Sequence, residues 1–292
     1  MTRIRTAIIP AAGLGTRMLP ATEAVPKELF PVGGRPAIDW ALDEAAMAGI
    51  EEVVIVSSPR KPAIEAYVVQ SRDRAKGIAG EVGVAPSGGL KIRFVTQSKP
   101  QGLGDAVRLG WQCSGDQPVA VLLPDELMLS GPALLASMLD HHDCHGASMV
   151  ALMTVPLAEV GSYGCAQLAG PGPDGTIRLS RLVEKPDPVA APSNFAICGR
   201  YLLGTDVLRA LQRAELDPGV ELQLTAALDV VASGAGMLGV AVLPHHGRAD
   251  IGSWGGWLRA NQRTLKTPDR PDDGTALVLT PPRHRHLSAA VA

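Results

Sequence analysis

The stretch TAIIPAAGLGTRMLP, residues 6–20, decides how the rest of the chain is read. It opens as a short unbroken apolar run, the mark of a strand covered on both faces. It closes as a glycine-bearing turn ending near Arg17, and TEAVPKELFPVGG, residues 22–34, follows with Lys27. A glycine-rich turn leaving a strand exposes backbone N–H groups, and nearby cations add fixed positive charge, so the arrangement suits phosphates. Pro20 and Pro26 stiffen the segment between the two cations and lower the cost of ordering both on a polyanion. Two phosphate motifs are excluded. A Walker loop needs GxxxxGK[ST], and a dinucleotide fingerprint needs GxGxxG, where this chain places Met18 at the third glycine. A plain strand-to-helix turn is the other reading of these glycines.

Further apolar runs bounded by turn residues recur at 52–58 (EVVIVSS), 92–97 (IRFVTQ) and 119–125 (VAVLLPD), with amphipathic stretches at 36–49, 62–75 and 104–112 between them. Strands alternating with helices predict right-handed βαβ units and a mostly parallel, mixed central sheet flanked by helices. Ligands of such sheets sit beyond the carboxyl ends of the strands, which draws PAAGLGTR, TQSKPQGLGD and LPDE into one candidate site. The second half predicts strands within 146–156, 163–169, 176–186 and 194–203 and helices at 205–213, 222–233 and 252–265, continuing the sheet with an antiparallel portion. Residues 76–90 read as a loop of low order. From Thr267 to the end, proline and polar residues predict a mobile tail, leaving residues 1–266 as one domain.

With 292 residues, 46% hydrophobic, 19% charged and a net charge of −2, the chain has no electrostatic reason to coat nucleic acid or an anionic membrane. Aromatic residues, at 3%, are too few for a base-stacking surface. The four cysteines are widely spaced with no CxxC pair, and no apolar run approaches a membrane span, so a reduced, cytoplasmic protein is expected.

Three further positions invite chemistry. Asp125 closes an apolar strand where a carboxylate can hold a hard cation together with substrate phosphates, with a helix or turn cap as the lesser alternative; Asp250 in GRADIG is a candidate second ligand. Glu184 and Lys185 end a strand before Pro186. Neighbouring strand side chains face opposite ways, so the two meet one ligand only where the strand ends or bulges; a surface ion pair is the alternative. His141, His142, Cys144 and His145 crowd together after a helix, but lacking a second ligand cluster they read as a solvated helix end, and His245 and His246 likewise. The four tryptophans read as packing residues.

Taken in order, AAGLGTRMLP, PKELFPV, QSKPQGLGDAV, LPDE, YG, VEKP, SNFAICGRY, ELQLT and DIG resemble the bacterial UTP–glucose-1-phosphate uridylyltransferases, within the sugar-phosphate nucleotidyltransferase family, over roughly residues 4–265. The resemblance implies a Rossmann-like α/β nucleotidyltransferase fold and a Mg²⁺-dependent reaction of UTP with a sugar 1-phosphate that releases pyrophosphate. It implies backbone contacts to the nucleotide from Ala11, Ala12 and Gly13, with Gln97 and Gly102 reading the uracil. It further implies triphosphate binding by Arg17 and Lys27, metal binding by Asp125 and Asp250, sugar contacts from Gly164 and Glu184, and a phosphate contact from Lys185. A homo-oligomer is expected, since family members often are dimers or tetramers. Three positions depart from the family pattern: Glu23 replaces a lysine, Ala226 an acid and Trp254 a lysine. They leave open a related enzyme using dTTP or another sugar phosphate, and a non-catalytic nucleotide-binding regulator of the same fold. A nicotinamide oxidoreductase is disfavoured by the missing fingerprint.

Overall fold

The structure is a computed structural model describing residues 3–77, 89–214 and 219–266. Strand β1 (Thr6–Pro10) is followed by a one-turn helix α1 (Ala21–Ala24) and a hairpin of β2 (Pro31–Val32) and β3 (Arg35–Pro36). Then α2 (Ala37–Met47), β4 (Glu52–Ser57), α3 (Pro62–Gly77), β5 (Lys91–Thr96), α4 (Leu103–Trp111) and β6 (Val119–Leu122) alternate as expected. The second half comprises β7 (Glu126–Met128), α5 (Ala133–His145), β8 (Met149–Thr154), β9 (Gly164–Pro171), β10 (Ile177–Glu184) and β11 (Phe195–Leu203). It ends with α6 (Thr205–Arg213), α7 (Leu224–Ser233), β12 (Met237–Ala241), β13 (Arg248–Asp250) and α8 (Trp254–Lys266).

Nine strands form one sheet in the order β5-β4-β1-β6-β11-β8-β12-β10-β9. Strands β11 and β10 are antiparallel to both their neighbours, leaving the other seven aligned, as the βαβ pattern requires of the first half. Alternation along the central strands builds a core on each face. Ala7, Ile9, Val53 and Ile55 pack against α2, α3 and α5, whereas Ile8, Val54 and Val56 pack against α4, α6 and α7. Strand β12 was not foreseen, and the helix expected to end before His141 runs on to His145 as α5. His141 to His145 therefore lie inside α5, in its last turns, rather than after a helix.

A separate two-stranded sheet pairs β13 with β7, setting Asp250 opposite Glu126. Its apolar side, Leu127, Ala249 and Ile251, packs with Val32, Ala37 and Ala260, so the first hairpin and α8 brace it. No helix among the described residues is long and apolar enough to cross a membrane. The tail beyond Lys266, and residues 78–88 of the expected loop, lie outside the described residues.

Candidate active site

Two adjoining cavities, about 580 and 370 Å³, open beyond the carboxyl ends of β1, β5 and β6. The smaller is walled by Ala12, Gly13, Lys27, Gln97 and Gly102, and the larger by Arg17, Gly164, Glu184, Lys185 and Asp250. Asp125, Thr16, Leu103, Leu123 and Glu221 belong to both. Ala12, Gly13, Lys27, Gln97 and Gly102, expected to meet the nucleotide, thus gather in one chamber and the residues expected to meet the sugar in the other, where Arg17, expected on the triphosphate, also lies; the strand-end carboxylate is at the seam.

In the smaller chamber one expectation needs correction. Ala11 is fully buried, its N–H donates to the Val56 carbonyl at 2.7 Å, and its own carbonyl accepts from Lys61 Nζ at 3.0 Å. It stays out of the cavity wall because both of its backbone groups are engaged inside the protein, whereas Ala12 and Gly13 line the cavity. Lys61 also bridges the Glu28 carboxylate at 2.9 and 3.1 Å, all of it buried, so the loop is clamped from beneath. Burial holds the Lys61 ammonium below its ordinary value against the pull of Glu28. Gln97 donates to the Gly102 carbonyl at 3.1 Å and to Asp105 Oδ2 at 2.8 Å. With both amide hydrogens engaged, Gln97 offers its carbonyl oxygen as an acceptor. Gly102 has a φ of 94°, and a Cβ there would lie 2.7 Å from the Leu222 carbonyl, so only glycine fits.

At the seam the Lys27 ammonium is bonded to Asp125 Oδ2. Burial alone would raise the Asp125 carboxyl, but Lys27, with help from Arg17, outweighs it and holds the group below its ordinary value. Lys27 is correspondingly raised: burial pulls down, Asp125 and Glu28 push up further. Asp250 arrives from the far end of the chain through the β7–β13 ladder, reinforced by the Ile251 N–H donating to the Asp125 carbonyl at 2.8 Å. The Gly252 N–H donates to Asp250 Oδ1 at 2.7 Å. A Cβ on Gly252 would stand 2.7 Å from Arg17 Nη2 and 3.1 Å from that same Oδ1, so this glycine leaves the space the guanidinium uses. Glu126 is taken by Arg248, which donates to both of its oxygens at 2.6 and 2.7 Å.

On the sugar side, Gly164 and Glu184 are ladder partners, and the Cys165–Ala196 pairing docks their hairpin on β11. The strand ends at Glu184 and Lys185 turns left-handed, φ 44°, a conformation that strains a lysine by about 1–3 kcal/mol. The turn lets both side chains line one cavity, with Nζ 3.4 Å from Glu184 Oε1. Thr225, the last residue of ELQLT, donates its hydroxyl to Glu184 Oε2 at 2.6 Å. Neither this bond nor the Glu28–Lys61 clamp was foreseen, although Thr225, Glu184 and Glu28 lie inside motifs quoted above.

Asp125 and Asp250 bring hard oxygen donors to a chamber lined by cations, a donor set that fits Mg²⁺ shared with phosphate oxygens. The three departures lie elsewhere. Glu23 is exposed, Ala226 borders a groove between α6 and α7, and Trp254 is 44% exposed against Phe30; none lines either cavity among the described residues. Trp254 is thus less a core residue than expected, unlike Trp111 at 3% exposure.

The nucleotidyl transferase family model matches residues 6–267. A Streptococcus pyogenes UTP–glucose-1-phosphate uridylyltransferase is 39% identical over 241 residues, 79% of each chain, and a second from the same species is 35% identical over 290 residues, 96% of each. Among solved structures, a UDP-glucose pyrophosphorylase complexed with UDP-glucose superposes with a TM-score of 0.80 at 32% identity, covering 90% of this chain and 99% of that one. A UTP-bound enzyme of the same kind from Acinetobacter baumannii gives 0.76 at 31%, covering 91% and 95%. Members of this family generally use a divalent metal. The chain is a nucleotidyltransferase enzyme, belonging to the nucleotidyl transferase family in the branch that holds the UTP–glucose-1-phosphate uridylyltransferases.

Proposed function

We propose that the chain transfers the uridylyl group of UTP to glucose 1-phosphate, giving UDP-glucose and pyrophosphate, through its single domain over residues 1–266. The observation that carries this reading is the meeting of two chambers at Asp125, one walled by nucleotide-type contacts and the other by a carboxylate and an ammonium. The Gln97 carbonyl suits the N3–H donor of uracil, which cytosine lacks, and Ala12, Gly13 and Gly102 leave room for the backbone to approach the nucleoside. Glu184 accepts from sugar hydroxyls beside Gly164, and Lys185 meets the sugar phosphate.

An oxygen of the sugar phosphate, ionised at neutral pH, attacks the α-phosphorus in line with the departing pyrophosphate, so no general base is needed. Catalysis rests on bringing two polyanions together. Arg17 and Lys27 neutralise the triphosphate and Lys185 the incoming phosphate. Asp125 and Asp250 would hold Mg²⁺, which when bound supplies further neutralisation of phosphate charge. The names of the relatives, and the UDP-glucose and UTP carried by two structural neighbours, support the substrate pair. The expected homo-oligomer is supported by the exposed apolar residues of α8, Trp254, Leu258 and Leu265.

The test is a pyrophosphate-release assay with Mg²⁺ that crosses UTP, dTTP, ATP, CTP and GTP with glucose, galactose, mannose and N-acetylglucosamine 1-phosphates. Preference for UTP with glucose 1-phosphate is expected; preference for another pair, or no release at all, overturns the reading. Lys185→Ala should weaken chiefly sugar-phosphate use, with a loss on the order of 10²-fold for one well-placed charged contact.

A further inference from the structure

The histidine cluster rejected as a metal site in the sequence lacked a partner segment, and the fold supplies one. His141 and His145 stand one turn apart on α5, so their rings share a face of the helix and lie nearly parallel, 18° between planes with centroids 6.3 Å apart. Across from them the turn between β9 and β10 carries Asp174, in a left-handed conformation with φ 51°. Its Oδ2 lies 2.9 Å from His145 Nε2. One ligand atom from each of the three residues falls within 4.8 Å of the others.

From these residues we infer that His141, His145 and Asp174 form a transition-metal site of the zinc class, separate from the two substrate chambers. Three arguments converge. Two imidazoles and one carboxylate are a donor set that Zn²⁺ takes readily and that Mg²⁺, which prefers oxygen and keeps its waters, does not. Bonds of about 2.0–2.1 Å to a tetrahedral ion separate ligand atoms by roughly 3.4 Å, so only small side-chain rotations convert the present spacing into coordination. The ligands also sit at the C-terminal end of α5, where the helix dipole favours a cation, and they remain open to solvent, with the His145 and Asp174 side chains 25% and 67% exposed. An ordinary ion pair would account for His145 and Asp174 but not for His141. That residue makes no hydrogen bond among the described residues, yet its ring faces the same point. A bound ion would tie α5 to the β9–β10 hairpin, whose other end carries Gly164 and Glu184.

The test is equilibrium dialysis of the full-length protein against Zn²⁺ with Mg²⁺ in excess, which keeps the oxygen-rich Asp125 and Asp250 out of the count. Wild type should bind one equivalent of Zn²⁺ more than the His141→Gln/His145→Gln double variant, and Zn²⁺ should raise the Tm of wild type only. His141→Gln is the discriminating single change, because it leaves the His145–Asp174 pair in place. It should keep the zinc-free Tm and weaken zinc binding by about 100-fold or more, at least the upper end of what losing a mere supporting contact to a ligand costs. Asp174→Asn, which keeps the shape of the turn, should weaken it as well. Equal stoichiometry and affinity in wild type and both histidine variants would overturn the site. So would a zinc-dependent Tm rise that survives in the double variant.

Discussion

Replacing Arg200 with methionine tests how the loop that presents Asp125 is held. Arg200 stands in β11 with no exposed surface. Its guanidinium donates to the two oxygens of Glu44 at 2.9 and 2.6 Å, and to the carbonyls of Gly199 and Leu123 at 2.9 and 3.2 Å. Glu44, on α2, is itself only 2% exposed. The single change therefore leaves one carboxylate buried without its cation and removes a donor from two carbonyls. Breaking one half of such a pair destabilises by about 3–5 kcal/mol. Against a total stability of about 5–15 kcal/mol that is a large fraction. At about 2–4 °C per kcal/mol for a chain of this class, the Tm should fall by about 6–20 °C.

Calorimetry of wild type, Arg200→Met and the Glu44→Leu/Arg200→Met double variant separates the causes. If the loss comes from an uncompensated buried charge, the double variant should recover most of it, since two apolar residues can replace a buried pair at little net cost. Well below the Tm the single variant should also turn over more slowly, because the Leu123 carbonyl it releases lies two residues before Asp125. A single variant that loses less than about 1 kcal/mol, or a double variant no better than the single, would refute the reasoning.

Three other outcomes follow from the site. Thr225→Val removes the hydroxyl that holds Glu184; with that carboxylate side chain 29% exposed, water replaces part of the bond, so about 1 kcal/mol, or a roughly fivefold rise in KM for the sugar phosphate, is expected. The KM for UTP should not move, and Thr225→Ser should restore the wild-type value; an equal change for both substrates would count against it. Gly252→Ala forces the end of the Arg17 side chain aside and crowds Asp250 Oδ1, meeting no backbone, so kcat/KM for UTP should drop about tenfold or more with the Tm little changed, as kinetics beside calorimetry would show. The Asp125 carboxyl, depressed in the fold because Lys27 outweighs its burial, contributes stability that is present above its unfolded value near 3.8 and lost as pH falls below it. The acid limb of a Tm-against-pH curve below about pH 4 should therefore be shallower in Asp125→Asn.

What the sequence disclosed, and what it hid, follow from the range of the interactions concerned. Strands β1, β4, β5 and β6 were legible because a run such as Ile8-Ile9, buried on both faces, leaves an unbroken apolar stretch between turn residues. The left-handed turn at Lys185 was half legible, since Pro186 marked the end of the strand but not its geometry. The β7–β13 pairing was not, because three-residue strands carry no periodicity and their partners are separated by more than a hundred residues. The same holds for Arg200 with Glu44 and for Lys61 with Glu28, where charged residues are buried only because the other is present. Ala11 was misassigned since a motif names a loop without saying which of its amides the neighbouring strand takes.

A chamber proposed to receive two polyanions nevertheless carries five carboxylates, Asp125, Glu126, Glu184, Glu221 and Asp250; Arg248 takes Glu126, and three of the others stand beside the cations. Asp125 holds Lys27, Glu184 lies beside Lys185 and is itself fixed by Thr225, and Asp250 shares the space over Gly252 with Arg17. Each cation expected to meet phosphate is thus stationed beside an acid before any substrate arrives. Long flexible side chains lose much rotamer freedom when they first engage a ligand, and prior ordering by an acid reduces that cost. The acids also offset the cations of the unliganded chamber, which alone would repel one another and loosen the loops that carry them. Phosphate oxygens entering the proposed site would compete with Asp125 for the Lys27 ammonium, and the carboxylate so released would be one of the residues available to hold a divalent cation. On this account Lys27 and Asp125 exchange partners together, so the affinities for nucleotide and for divalent metal rise and fall as one.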